Sequence, residues 1–92
     1  MLKSINIPTA QLSDLEDTLN TELGGGFEVV QVHDNVIILE DGGALGHSAY
    51  QVVVIPANMN ADEIDTLLNE PLGASPDPAL LAVHSGFAIF AA

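Results

Sequence analysis

The sequence predicts an α+β fold: tandem duplicated βαββ units forming an antiparallel-rich sheet of about six strands with two helices. Three observations carry this expectation. The chain contains an internal repeat, its Pro and Gly residues sit at element boundaries, and apolar runs of strand length are separated by two amphipathic segments of helix length.

The repeat relates residues 5–39 to 53–90. Ile7-Pro8 recurs as Ile55-Pro56, Asp14 as Asp62, and Asp17-Thr18-Leu19 as Asp65-Thr66-Leu67, all at a shift of 48. Leu23-Gly24 falls on Leu72-Gly73, and after a further slip Val32-His33-Asp34-Asn35 falls on Val83-His84-Ser85-Gly86 and Ile38 on Ile89. The expected organisation is one domain over residues 1–92, with pseudo-repeats 1–41 and 50–92 joined by a Gly-rich linker, 42–49.

In the first copy, Leu2 to Ile7 alternates and stops at Pro8, which suits a strand end but not a central ladder. Leu12, Leu15, Leu19 and Leu23 then mark one helical stripe, with Asp14, Asp17 and Thr21 opposite. Ser13 with Glu16 has capping-box spacing, Thr9 competes as N-cap, and Gly24-Gly25-Gly26 ends the helix. Phe27 to His33 and Val36 to Glu40 read as a hairpin across Asp34-Asn35, a pair that tolerates left-handed backbone. The second copy repeats the programme. Gln51 to Ile55 is a strand stopped by Pro56, Asn60 and Glu63 cap a helix carrying Ile64, Leu67 and Leu68, and Pro71 with Gly73 ends it. Residues 74–78 form a stiff connector, and Leu80 to His84 pairs with Phe87 to Phe90 across Ser85-Gly86.

Two arrangements satisfy this order: one sheet with both helices on one face, or two three-stranded halves related by a pseudo-twofold. In either, the strands are apolar at odd and even positions alike, as in Val36 to Leu39 and Val52 to Ile55, which predicts burial on both faces. Two short helices cover only one face. The second face is therefore expected to meet another subunit or a large partner, or to be turned inward by a closed or strongly curled sheet. Val29, Val36, Ile38, Val52, Val54 and Phe90 are the candidate interface residues.

Composition narrows the function classes. The chain is 48% hydrophobic with a mean hydropathy of +0.36, far from the regime of disorder. Thirteen acidic residues face one base, Lys3, and no Arg, for a formal net charge of -12. Such a surface disfavours nucleic acid and anionic membranes, since phosphate affinity depends on Lys and Arg. The absence of Cys removes thiolate metal ligands and Cys nucleophiles. The opening residues lack the apolar core of a signal peptide and no run approaches a membrane span, so a soluble, untargeted chain is expected.

No motif amounts to a reactive site. His33 and His84, with Asp34, would approach a metal set only if a pseudo-twofold brought the two turns together, and a polar residue beside a turn needs no function. Glu40-Asp41 lacks the alternating oxygen ligands of a calcium loop. Gly46-His47-Ser48-Ala49-Tyr50 lacks the final Gly and the strand-turn-helix context of a nucleophile elbow, and Gly24-Gly25-Gly26 follows a helix where a phosphate loop precedes one. No catalytic, cofactor-binding or metal residue is assigned, and no cofactor is expected. The acidic helix faces, Asp14 and Asp17 with Asp62 and Asp65, are either ordinary solvated faces or rows of carboxylates that imitate phosphates.

The expectation for function is a non-enzymatic structural or assembly protein, most concretely a viral capsid decoration or cement subunit, that self-associates or binds a protein partner. The alternative is an acidic inhibitor that mimics nucleic acid and blocks the basic channel of a nuclease or defence complex. Because one Lys cannot offset thirteen carboxylates, screening by salt should relieve their repulsion. The melting temperature is expected to rise as sodium chloride is added from low ionic strength, and a flat or falling value would contradict this.

Overall fold

The computed structural model describes residues 1–7, 13–42, 46–72, 78–84 and 86–92. Pro8, Thr9, Leu12, residues 43–45 of the linker, Gly73, residues 74–77 of the connector and Ser85 lie outside the described residues. The element order is β1 (Leu2–Asn6), α1 (Ser13–Gly24), β2 (Phe27–His33), β3 (Val36–Asp41), β4 (Tyr50–Val54), α2 (Ala61–Leu72), β5 (Ala79–His84) and β6 (Phe87–Ala91). The fold is α+β, and its six strands divide into two three-stranded antiparallel sheets, β1-β3-β2 and β4-β6-β5.

The two sheets share one register. Leu2 pairs with Glu40 as Tyr50 pairs with Ala91, and Ser4 with Ile38 as Val52 with Ile89. His33 faces Val36 as His84 faces Phe87. The flanking bonds repeat as well: Ile7 N donates to Asn35 O, and Ile55 N to Gly86 O, both at 2.8 Å. First strands and helices therefore correspond at a shift of 48, hairpins at 51.

Each hairpin also carries a bulge at the same place. The register slips between Val29 and Gln31 and again between Leu80 and Ala82, leaving Val30 and Leu81 as the extra residues. This corrects the expectation that the strands are buried on both faces. A bulge reverses the alternation of a strand, so Val29 and Val32 face the same side, opposite Leu39 and Ile37, although their spacing is odd. Only β6, the centre of its sheet, is buried along its whole length. Val30 is 43% and Val54 48% exposed.

Local chemistry explains the element ends. Gly25 N reaches the carbonyls of Thr21 and Glu22, Gly26 N that of Leu23, and Gly26 has a φ of 91°, which terminates α1. Asp34 adopts a φ of 50° in the β2–β3 turn. The expected capping box of α2 is formed in both directions, Glu63 N donating to Asn60 Oδ1 at 2.9 Å and Asn60 N to Glu63 Oε1 at 3.3 Å. On α1 the corresponding carboxylate is directed elsewhere: Glu16 Oε1 accepts from Val52 N. Pro71 does not stop α2 at once. It sits in the last turn, where its missing N–H costs a single bond, and the helix closes at Leu72.

The core lies between the sheets, around α1. Leu15 and Leu19 are fully buried among Ile7, Val29, Ile37 and Leu39 of the first unit and Tyr50, Phe87, Ile89 and Ala91 of the second. Among the described residues no side chain of α2 belongs to this cluster; Pro71 is buried outside it, and Ile64, Leu67 and Leu68 are half-buried. The two helices share a sequence pattern but not an environment. Truncating Leu19 to Ala should cost about 2–5 kcal/mol, whereas the same change at Leu67, its repeat counterpart, should cost less than half as much. Urea denaturation of the two variants measures the difference, and equal losses would contradict this placement of the core.

Candidate functional site

The densest polar constellation sits where the second unit meets the first. Tyr50, the one tyrosine, opens β4 at 3% exposure, and its hydroxyl accepts a hydrogen bond from Val29 N at 2.8 Å. The bulge beside Val29 interrupts the ladder, so a side chain rather than a strand serves this amide. The same hydroxyl lies 3.0 Å from His47 Nδ1. The phenol keeps its own proton to donate and a second lone pair with which to accept, so the His47 tautomer decides which partner donates in this contact.

Glu28 completes the group. It is 4% exposed on a strand whose neighbours are apolar, and Oε2 accepts from the backbone N of His47 at 2.9 Å while standing 3.7 Å from the imidazole Nδ1. Burial raises the Tyr50 pKa above its ordinary value; the amide of Val29 pulls against this and the Glu28 charge adds to it.

Two polar side chains of α1 extend the contact along β4. Asn20 brackets the backbone of Tyr50, accepting from its N at 2.7 Å and donating to its O at 2.9 Å. Glu16 accepts from Val52 N at 2.8 Å. An edge strand presents unpaired amides and carbonyls to solvent, and here a helix closes them with side chains.

The arrangement acts as a lock between the two halves. Its phenol and carboxylate are buried; the Val29–Tyr50, Asn20–Tyr50 and Glu16–Val52 bonds tie one half to the other, and Glu28 and Tyr50 hold the linker residue His47 between them. Ser48, which neighbours His47 in sequence, donates to Ala92 O at 3.1 Å and makes no contact with the imidazole among the described hydrogen bonds.

The residues singled out from sequence are dispersed. His33 Nε2 meets its neighbour Asp34 at 3.4 Å on an exposed turn, while the His84 ring stacks on Phe87 at 5.2 Å between centroids. Among the described residues no group of three or more metal-binding side chains is assembled. Of the candidate interface residues, Val29 and Phe90 lie inside the fold at 1% and 0% exposure, which corrects their placement at an interface. Val36, Ile38 and Val52 are half-buried, and Val54 is exposed. Asp14, Asp17, Asp62 and Asp65 all face solvent.

The constellation is not visible in the sequence, because His47 and Tyr50 belong to a segment without a complete reactive motif and meet Glu28 only through the fold. A signal was present in Glu28, an acid set in the apolar run Phe27 to Val30. Comparison with known protein families, curated proteins and solved structures finds no match for the chain. Among the described residues no helix is long and apolar enough to cross a membrane.

Removing the Tyr50 hydroxyl tests the lock. Tyr50→Phe leaves the buried Val29 amide without its acceptor and should destabilise the fold by about 1–3 kcal/mol in urea denaturation. The raised pKa fixes the sign of the pH dependence: the contribution is complete below the unfolded value of about 10 and is lost as pH rises through the folded value. Ultraviolet titration of the single tyrosine should therefore give a midpoint above that of the unfolded chain. A midpoint equal to the unfolded value, with Tyr50→Phe as stable as the parent, would contradict the assignment.

Proposed function

We propose that this chain is a non-enzymatic assembly protein acting through protein–protein contacts, its most concrete form a viral capsid decoration or cement subunit. The observation that carries this reading is the apolar surface left over once the core has formed. Leu2 is 65% exposed, Val83 55%, Val54 48% and Leu80 46%, and all four stand on strands, where side chains are held in fixed positions. Scattered apolar residues are ordinary on any surface, but β5 alone contributes two, and Leu72 adds a fifth at the end of α2. A surface of this kind is suited to burial against a partner.

The distribution of acids supports the same reading over nucleic-acid mimicry. Glu16 and Glu28 are used inside the fold, and Glu22 holds Lys3, whose Nζ lies 2.6 Å and 3.0 Å from its two oxygens. These carboxylates maintain the structure instead of presenting a row of charge.

The two recognition modes predict opposite mutational results. The partner is recovered from the native source and identified by mass spectrometry, and binding to it is measured for two variants. Val54→Asp should abolish binding by placing a charge in the apolar contact. Reversing Asp14, Asp17, Asp62 and Asp65 to Lys should alter mainly the association rate and its salt dependence. Binding lost on charge reversal but kept by Val54→Asp would overturn the proposal in favour of an acidic inhibitor.

A further inference from the structure

The first unit grips the second through a defined set of positions, and the same positions recur unoccupied at the two ends of the chain. On the second unit the gripped face comprises Tyr50, Val52, Phe87, Ile89 and Ala91, all packed with α1 in the core. At the repeat shifts these become Leu2, Ser4, Val36, Ile38 and Glu40, one face of the β1-β3-β2 sheet. There Leu2 is 65% exposed where Tyr50 is 3%, and Val36 and Ile38 are half-buried where Phe87 and Ile89 are 1% and 0%.

The gripping side shows the complementary pattern. In the first unit it comprises Leu15 and Leu19 of α1 with Val29 and Val32 of β2. Their counterparts are Glu63, Leu67, Leu80 and Val83. Leu80 is 46% exposed where Val29 is 1%, and Val83 is 55% exposed where Val32 is half-buried. Glu63 and Leu67 line an open groove of about 320 Å³ on α2, together with Met59, Thr66 and Glu70.

We propose that copies of this chain associate head to tail, the α2 and β5 side of one copy seating on the open β1-β3 face of the next, so that the contact between the two halves is repeated between chains. This rests on the assembly reading above and names a second copy as a partner. Two features identify that occupant. The intrachain interface continues at the same positions of the repeat, and it leaves open the one face that α1 fills in the second unit. Two different surfaces meet in such an arrangement, so it extends unless the rotation between copies closes a ring.

The asymmetry supplies the test. Leu2→Asp disables one end and Leu80→Asp the other; the side chains are 65% and 46% exposed, and circular dichroism checks that each variant folds. Light scattering is measured over a concentration series in salt sufficient to screen the net charge. The wild-type mass should grow with concentration in steps of one 9.6 kDa chain. Each variant alone should associate at least tenfold more weakly. Mixed in equal amounts, they should form a dimer and nothing larger, because each supplies the end that the other lacks. A wild type that stays monomeric, a variant that associates like the wild type, or a mixture no larger than its components would each overturn head-to-tail association. A monomeric wild type would leave the assembly reading intact, since that is decided separately by binding of Val54→Asp to the native partner.

Discussion

The structure depends on the closure of one strand edge by a helix. β4 has β6 on one side and no strand on the other, and the amides of Tyr50 and Val52 on its open side are met by Asn20 and Glu16 of α1. Because the helix carries its polar groups along one row and Leu15 and Leu19 along another, the same contact that satisfies the backbone also buries the apolar stripe. Tyr50 extends the joint from the other direction by serving the amide that the β2 bulge releases. Hydrogen bonding and burial are thus coupled, and losing either would open the other to water.

The repeat makes this joint informative beyond itself. Both units have the same register, bulge position and flanking bonds, so differences between them reflect surroundings and not topology. Where α1 has Glu16 and Asn20 at the strand edge, α2 has Ile64 and Leu68. Apolar side chains cannot satisfy a strand edge, and they gain by meeting apolar surface. The second unit is therefore chemically prepared for a different contact, and the exposed residues of β1 and β5 are the places where an internal neighbour is missing. The assembly role proposed above rests on that incompleteness more than on the acidity of the chain.

Much of the architecture was legible in the sequence because breakers and repeated pairs act locally. Pro56, Gly24 to Gly26, Asp34-Asn35 and the Asn60/Glu63 pair mark boundaries by their own backbone chemistry, and the matches of Ile7 with Ile55 and His33 with His84 fixed the order of elements. The bulges were not legible. Val30 and Leu81 are ordinary strand residues, and the displaced register made a one-sided strand resemble a two-sided one. The joint was equally hidden, since Glu28, His47 and Tyr50 meet only through tertiary packing. Nor does the leucine stripe of each helix say which one is enclosed: that depends on the Glu16 and Asn20 contacts to β4.

Amide hydrogen exchange under native conditions tests the edge closure most directly, by comparing Val52 with its counterpart Ser4. Both amides face away from the central strand of their sheet; Val52 N is held by Glu16, and among the described residues nothing bonds to Ser4 N. Val52 should exchange only by the global unfolding that also exposes the β6 amides, while Ser4 exchanges rapidly through local opening. Comparable, fast exchange at Val52 and Ser4 would show that α1 does not close the β4 edge, and the joint between the halves would have to lie elsewhere.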